Sequence, residues 1–286
     1  MNDGLVVVDK PAGWTSHDVV GKVRRLAGTR RVGHAGTLDP MATGVLILGV
    51  ERATRLLGHL ALHDKEYEAT IRLGRATTTD DAEGDFIGAE ADGRAVAIEA
   101  DEIEQVMRSL TGAIEQVPSS VSAIKVDGVR AYKKARDGET VELKPRPVTV
   151  EAFDLLERRG TDLDVHVTCS TGTYVRALAR DLGATLGVGA HLTALRRTRS
   201  GPYAIAEARS LEQLEASFEV TPLAEAVGKA FPRIEVTEAE AVRIGHGQRL
   251  ALGVPANPSG VFSPDGSVIA LVEDRDGVAA PLCVFV

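Results

Sequence analysis

Hydrophobic and polar positions divide the chain into short strands and amphipathic helices. Leu5–Asp9 and Val45–Val50 are mainly apolar runs of strand length, and Lys65–Leu73 alternates apolar with polar residues, as a half-buried strand does. After Ser16, a residue suited to a helix N-cap, apolar residues recur at helical spacing. The same patterns predict further strands over 145–157 and 163–169, and helices over 53–62, 101–110 and from residue 174 or 175 onward.

These elements predict an α+β fold with a mixed, largely antiparallel central sheet, flanking helices and a cleft lined by basic loops. The composition shifts near Phe231-Pro232, where short apolar runs become interrupted by Gly, Pro, Asn and Asp. Such a pattern is typical of a small β-rich domain. We therefore predict a large N-terminal domain over 1–231 and a small appended domain over 232–286.

Composition narrows the class of protein. The 286 residues contain 44% hydrophobic residues and two cysteines, Cys169 and Cys283, which form no CxxC pair. No group of Cys and His has the spacing of a zinc site, so we expect no structural metal. No apolar run is long enough to span a membrane, and the N-terminus lacks a secretory pattern. These features favour a reduced, cytoplasmic compartment.

The formal net charge is −8, but the charges are unevenly distributed. Basic residues are dense over 22–31, 125–136 and 176–199, whereas acidic residues are dense over 80–104. Local fields matter more than the total charge for binding a polyanion. Any one of these arginines could be a solvated surface residue, but three clusters near glycine-rich loops favour one shared anionic ligand.

The stretch Arg31–Pro40 is the first candidate site. Two glycines flank His34, and Asp39 stands directly before Pro40, which biases the aspartate towards an extended backbone. The result is a single carboxylate on a short loop that leads into the strand Val45–Val50. An ordinary polar turn has the same composition, so this stretch alone leaves both interpretations open.

A second candidate is the segment Ser170–Arg176, where a strand ends and a helix begins. Arg176 falls in the first helical turn, where the helix dipole disfavours a cation. A carboxylate partner would compensate, and Asp39 is the candidate. Tyr67 lies on the apolar face of its strand, where a tyrosine is usually a packing residue.

Several separated motifs together resemble those of the TruB-type tRNA pseudouridine synthases, which isomerise a uridine in the T-arm loop, the position 55 type. The resemblance covers roughly residues 4 to 203, and the motifs occur in the family's order. The C-terminal segment resembles, more weakly, a reduced PUA domain, an RNA-binding module. The motifs are Asp9-Lys10-Pro11-Ala12-Gly13, Gly33-His34-Ala35-Gly36-Thr37-Leu38-Asp39-Pro40, Lys65-Glu66-Tyr67, Ser122-Ala123-Ile124-Lys125, Gly172-Thr173-Tyr174-Val175-Arg176, and Ala190-His191-Leu192 with Leu195-Arg196-Arg197.

The resemblance implies a catalytic group of three residues. Asp39 matches the catalytic aspartate, Arg176 the arginine paired with it, and Tyr67 the tyrosine that stacks on the flipped uracil and is a candidate for proton transfer from C5. The reaction breaks the N1–C1′ bond and rejoins the base through C5, so it needs no cofactor. Three roles remain open for Asp39: attack on C1′, attack on C6, and removal of a ribose proton.

The resemblance also implies the substrate contacts and the partner, a tRNA T-arm stem-loop bound by a monomer. Tyr174 and Leu195 match residues of the uracil pocket, and His34 matches a histidine that fills space around the flipped bases. Lys10 and Lys125 would contact or support RNA, and a mobile loop of about 118–146 would close over the stem.

Two departures from the family pattern concern loop contacts. Thr77-Thr78-Thr79 stands where Thr-Asp-Thr is common, and Val121 stands where a tyrosine is usual. Two other functions remain as alternatives. One is a non-catalytic RNA-binding or tRNA-folding protein with the same basic cleft. The other is a phosphate-binding metabolic enzyme, which the absence of a P-loop or dinucleotide fingerprint disfavours.

Overall fold

The computed structural model describes residues 3–119, 125–126, 129–130 and 143–286, with the backbone alone at 125–126 and 129–130. The strands are β1 (Gly4–Lys10), β2 (Val32–Ala35), β3 (Thr43–Val50), β4 (Lys65–Leu73), β5 (Ala76–Thr77), β6 (Phe86–Ile87), β7 (Gly112–Gln116), β8 (Lys125–Val126), β9 (Val129–Arg130), β10 (Arg146–Arg159), β11 (Asp162–Cys169), β12 (Ala190–Ser200), β13 (Tyr203–Ala204), β14 (Thr221–Pro222), β15 (Arg233–Glu235), β16 (Ser259–Phe262), β17 (Val268–Arg275) and β18 (Val278–Val284). The α-helices are α1 (Ser16–Ala27), α2 (Leu57–Leu60), α3 (Asp92–Ala97), α4 (Ala100–Ser109), α5 (Val175–Thr185), α6 (Leu211–Ala216), α7 (Leu223–Ala230) and α8 (Glu238–Gly245), with 3-10 helices at Glu51–Leu56 and Ile205–Glu207.

The chain forms two compact units. The first unit combines Met1–His63 with Ser200–Val286, and the second is the continuous segment Asp64–Arg199. The first unit is therefore built from both ends of the chain.

In the first unit, β1 pairs antiparallel with β3 and with β14, and β2 pairs antiparallel with β3. Helix α1 begins one residue later than its cap, which is Thr15 and not the predicted Ser16. Thr15 accepts a hydrogen bond from the Asp18 N–H, and the Asp18 carboxylate accepts one from the Thr15 N–H. This reciprocal capping box satisfies two backbone donors, and it leaves Ser16 available for a different contact.

The C-terminal part of the first unit is a four-stranded sheet in the order β15-β16-β17-β18. One of its faces joins the core of the N-terminal strands, because Phe262, Leu271 and Phe285 belong to the same buried cluster as Leu5 and Ile47. Its other buried residues form a separate cluster around Ile244 and Val261. The predicted division at residue 231 remains a prediction, and this shared core means that the C-terminal sheet also stabilises the N-terminal strands.

Two arginines of the first unit fasten the end of the chain to the 3-10 helix Glu51–Leu56. Arg52 Nη1 donates a hydrogen bond to the Phe285 carbonyl at 2.5 Å, and Arg55 Nη1 donates to the Val284 carbonyl. Hydrogen bonds from these two side chains to backbone carbonyls therefore reinforce the apolar packing at the end of the C-terminal sheet.

The second unit has a sheet in the order β12-β4-β11-β10-β7, in which β4, β11, β10 and β7 pair antiparallel. The predicted strand Lys65–Leu73 is confirmed with the same bounds, and its alternation is seen as buried side chains at every second position. Strands and helices thus form the predicted α+β architecture, with a largely antiparallel sheet and a β-rich C-terminal part, and this fold class is confirmed. Within the described part of the chain, no helix has both the length and the apolar character needed to cross a membrane.

Truncating Phe262 to alanine should lower the free energy of unfolding by about 3–5 kcal/mol, because its ring is fully buried in the shared core. Urea titration of the full-length protein measures this change. Phe86→Ala is the matched control, since the Phe86 side chain is 61% exposed and its loss should cost less than about 1 kcal/mol. Equal effects in the two variants would contradict the shared core.

Candidate active site

Asp39 is carried by a short loop between β2 and β3. Gly36 in this loop has φ +77°, a left-handed conformation that favours glycine. The buried Ser16 hydroxyl accepts a hydrogen bond from the Leu38 N–H at 2.9 Å and donates one to the Leu38 carbonyl at 3.1 Å. The start of α1 therefore fixes the backbone of Leu38, the residue before Asp39. Asp39 itself is half-buried.

Lys10 lies beneath the same loop and is fully buried. Its Nζ donates to the carbonyls of Pro11 at 2.9 Å, Trp14 at 2.7 Å and Pro40 at 3.2 Å. The Gly13 N–H donates to the Pro40 carbonyl as well, at 2.8 Å. Lys10 therefore supports the backbone on the C-terminal side of Asp39, and the prediction that it contacts or supports RNA stays a prediction.

His34 lies in β2 opposite Leu48 and is half-buried. Its ring meets the exposed His17 ring edge-on, with centroids 5.6 Å apart. The residue before it, Gly33, packs closely against Leu57, whose Cδ1 would lie 2.9 Å from a Cβ at this position and would have to shift. The surface beside the Asp39 loop therefore presents two imidazoles, and the predicted contact of His34 with flipped bases stays a prediction.

Arg176 lies in the first turn of α5 in the second unit, where the sequence predicted it, and only 4% of its side chain is exposed. Its Nη1 donates to the Thr79 carbonyl at 2.9 Å and lies 3.4 Å from Asp81 Oδ2. Asp81 is thus a carboxylate partner of Arg176 that sequence reasoning missed. The pairing of Arg176 with Asp39 stays a prediction.

The acidic segment around Asp81 folds onto α5. Asp81 Oδ1 accepts hydrogen bonds from the Thr79 hydroxyl at 2.5 Å and from the Glu83 N–H at 3.0 Å. Its neighbour Asp80 lies 3.3 Å from Arg180 Nη1, and burial raises the pKa of the Asp80 carboxyl. The segment is therefore an ordered support for the arginines of α5.

Several arginines of the basic cluster over 176–199 are buried in the second unit or paired with its acidic side chains. Arg197 is almost completely buried. Arg199 Nη2 pairs with Asp64 at 2.5 Å and Glu66 at 2.8 Å, and Arg180 pairs with Asp181 as well as Asp80. Arg180 and Arg199 are thus partly neutralised by acidic side chains of the second unit, and the prediction that the cluster binds a shared anionic ligand stays a prediction.

Tyr67 and Leu195 are buried residues of the second unit, each 8% exposed, in β4 and β12 respectively. Tyr67 stands opposite Val167 of β11. Lys65 lies two residues before Tyr67 on the same strand. Burial and the nearby positive charge of Arg197 lower the pKa of the Lys65 ammonium to about 8. Tyr174 is the N-cap residue of α5, so the predicted pocket residues lie on rigid elements.

The remaining predicted contacts lie largely outside the described residues. Lys125 belongs to the short strand β8, whose side chains are not described, and most of the predicted closing loop over 118–146 lies outside the described ranges. Within those ranges, no group of three His, Cys, Asp or Glu side chains is arranged to hold a metal ion.

Three models of known protein families match successive parts of the chain, and together they identify its class. Residues 24–175 match the model of the TruB family pseudouridylate synthase N-terminal domain. Residues 176–227 match the tRNA pseudouridylate synthase B C-terminal domain, and residues 231–286 match the model named tRNA pseudouridine synthase II, C terminal. The chain belongs to the TruB family.

Individual relatives agree with this assignment. The chain is 59% identical over 295 residues to the tRNA pseudouridine synthase B of Thermobifida fusca (strain YX), with 100% of this chain and 99% of the relative covered. Among solved structures, a Cbf5-Nop10-Gar1 complex matches at 28% identity with a TM-score of 0.75, covering 100% of this chain and 85% of that chain. An H/ACA RNP bound to a substrate RNA containing 2'-deoxyuridine matches at 28% identity with a TM-score of 0.73, covering 99% and 85%.

Proposed function

We propose that this protein isomerises uridine to pseudouridine in tRNA, and that its target is the T-loop uridine at position 55. One observation carries the proposal: a half-buried aspartate on a loop braced by Lys10 and Ser16, in a chain of the TruB family. Curated relatives named tRNA pseudouridine synthase B support tRNA as the substrate.

Asp39 is the catalytic carboxylate in this proposal. The reaction separates the uracil from C1′ and returns it through C5, so one positioned carboxylate acts on the ribose or the base, by one of the three routes given above. The backbone on both sides of Asp39 is held by side chains, Ser16 at Leu38 and Lys10 at Pro40. The carboxylate is therefore pre-oriented before the substrate arrives.

Arg176 and Tyr67 complete the proposed catalytic group. A guanidinium near Asp39 would favour the ionised carboxylate, and Asp81 holds that guanidinium at a fixed place in the first turn of α5. Tyr67 would stack on the uracil after the base leaves the helix, with its hydroxyl available for proton transfer from C5.

Recognition of the T-arm is assigned to residues around this group. His34 would fill the loop near the flipped bases, Tyr174 and Leu195 would line the uracil pocket, and Lys125 would contact the RNA backbone.

We further propose that the protein acts as a monomer in the cytoplasm, with the C-terminal sheet adding RNA contacts. The reaction is an internal rearrangement, so the proposal includes no cofactor.

The test is incubation with an unmodified tRNA transcript, followed by mapping of pseudouridine at single-nucleotide resolution. The expected product is pseudouridine at position 55 only, in the full tRNA and in an isolated T-arm hairpin. A transcript with cytidine at position 55 is the control. Modification at a different uridine would overturn the T-loop assignment, and binding without modification would favour the tRNA-folding alternative.

Tyr67→Phe separates two roles of the tyrosine, because it keeps the ring and removes only the hydroxyl. We expect RNA binding near the wild-type level and a large loss of single-turnover rate, since the hydroxyl would move the C5 proton. Filter binding and rapid-quench kinetics measure the two quantities. An unchanged rate would restrict Tyr67 to stacking.

A further inference from the structure

Gln116, the last residue of β7, holds the backbone of Tyr174 through both ends of its side-chain amide. Gln116 Oε1 accepts a hydrogen bond from the Tyr174 N–H at 2.8 Å, and Gln116 Nε2 donates one to the Tyr174 carbonyl at 3.1 Å. Gln116 is 1% exposed, so water does not compete for these bonds. The two residues are 58 positions apart in the chain, which makes the pair a tertiary clamp.

The clamp acts where α5 begins. The Tyr174 side chain makes no capping hydrogen bond within the described structure, although the Tyr174 carbonyl accepts the helical bond from the Leu178 N–H at 3.2 Å. The Gln116 amide therefore fixes the peptide groups at the start of the helix. Tyr174 is a predicted pocket residue, and Arg176 lies two residues further along the same turn.

The other end of the turn before α5 is held in a similar way. The Ser170 N–H donates to the Thr149 carbonyl at 2.8 Å, and the Thr149 N–H donates to Ser170 Oγ at 2.9 Å. Residues 170–174 are thus fastened to β10 at one end and to β7 at the other, so a change at Gln116 releases the end that carries Tyr174.

A second contact joins the same strand end to α5. Arg180 Nη2 donates to the Val117 carbonyl at 2.7 Å, one helical turn after Arg176. The end of β7 is therefore bound to α5 at two successive turns, immediately before the segment predicted to close over RNA.

We propose that Gln116 is a positioning residue for the reaction: its amide clamp sets Tyr174 and Arg176 in the geometry needed for turnover. The inference rests on the proposed function. It assigns Gln116 an effect on the rate of the bound complex, whereas a residue that only stabilised the sheet would change the unfolding free energy and leave that rate intact.

Gln116→Met is the first variant, because methionine has a similar length and supplies neither a strong donor nor a strong acceptor. We expect the single-turnover rate at saturating tRNA to fall about 100-fold, the effect of a misplacement of about 1 Å. tRNA affinity should remain near the wild-type value, and circular dichroism should show a folded protein.

Gln116→Glu is the second variant and tests the donor specifically. An ionised carboxylate keeps the acceptor for the Tyr174 N–H but repels the Tyr174 carbonyl, whereas a protonated carboxyl reproduces both bonds of the amide. Burial favours the protonated form. Among the described residues, the charged groups near this strand end include Arg146, which stands opposite Gln116 on β10, the adjacent Glu115, and Arg180 with its partners Asp80 and Asp181. The ratio of variant to wild-type rate should therefore rise as the pH is lowered.

Gln105→Glu is the matched control, since Gln105 is an exposed residue of α4 in the same unit. It adds the same charge and should leave the rate ratio near one at every pH. A wild-type rate in Gln116→Met, a loss confined to tRNA affinity, or a pH-independent rate ratio in Gln116→Glu would each overturn the clamp proposal. A wild-type protein that forms no pseudouridine would instead overturn the proposed function.

Discussion

Asp39→Asn should abolish pseudouridine formation while tRNA still binds. Asparagine matches aspartate in size, so the loop braced by Lys10 and Ser16 should keep its shape. The amide is neutral and a poor nucleophile and base, so every one of the three routes open to Asp39 is lost. We expect no detectable product and a change in tRNA affinity below about tenfold, equivalent to roughly 1.4 kcal/mol.

Asp92→Asn is the control for this experiment, because Asp92 is an exposed aspartate at the start of α3. It removes the same charge and should leave turnover at the wild-type level. Single-turnover assays with enzyme in excess over tRNA measure both variants. Turnover by purified Asp39→Asn protein would remove the aspartate from the chemistry, and the proposed mechanism with it.

Arg176→Lys should reduce turnover by at least about 100-fold, or about 2.7 kcal/mol in activation free energy. The guanidinium is buried, donates to the Thr79 carbonyl and pairs with Asp81. A lysine ammonium keeps the charge but lacks the planar fork that reaches several acceptors at once. The loss should appear in the rate of the bound complex, with a smaller effect on tRNA affinity.

Arg108→Lys is the matched control, since Arg108 on α4 is 68% exposed and should tolerate the change. Asp81→Asn tests the support of Arg176 independently. If Asp81 acts through Arg176, the turnover rate of the double variant, Asp81→Asn with Arg176→Lys, should fall by less than the product of the two single fold-losses. A fold-loss equal to that product would mean that Asp81 and Arg176 act separately.

The elements with strong periodicity were predictable from sequence. The strand Lys65–Leu73 alternates strictly, and the start of α5 follows small residues that end a strand, so the structure confirms both. The position of Arg176 in the first helical turn was also predicted correctly. These features depend on neighbours within one segment, which sequence patterns describe well.

Long-range pairing was harder to predict, because nothing in the local sequence distinguishes a buried charge from a solvated one. Arg197 and Arg199 read as surface cations but lie within the fold or pair with acids of β4 and the segment before it. Asp81 lies in an acidic, glycine-containing stretch that is typical of an exposed loop. The amide of Gln116 reaches a residue 58 positions away, and its place at a strand end was the only available signal.

The division of the first unit between the two ends of the chain has a consequence for protein synthesis. The second unit, Asp64–Arg199, is one continuous segment and is complete in sequence once residue 199 has left the ribosome. The core around Leu5 and Ile47 must wait for Phe262 and Phe285. The segment that carries Asp39 is thus translated well before the residues that complete the core beside it. A nascent chain that stalls before Phe262 and Phe285 are made would leave the apolar residues of this core exposed to chaperones.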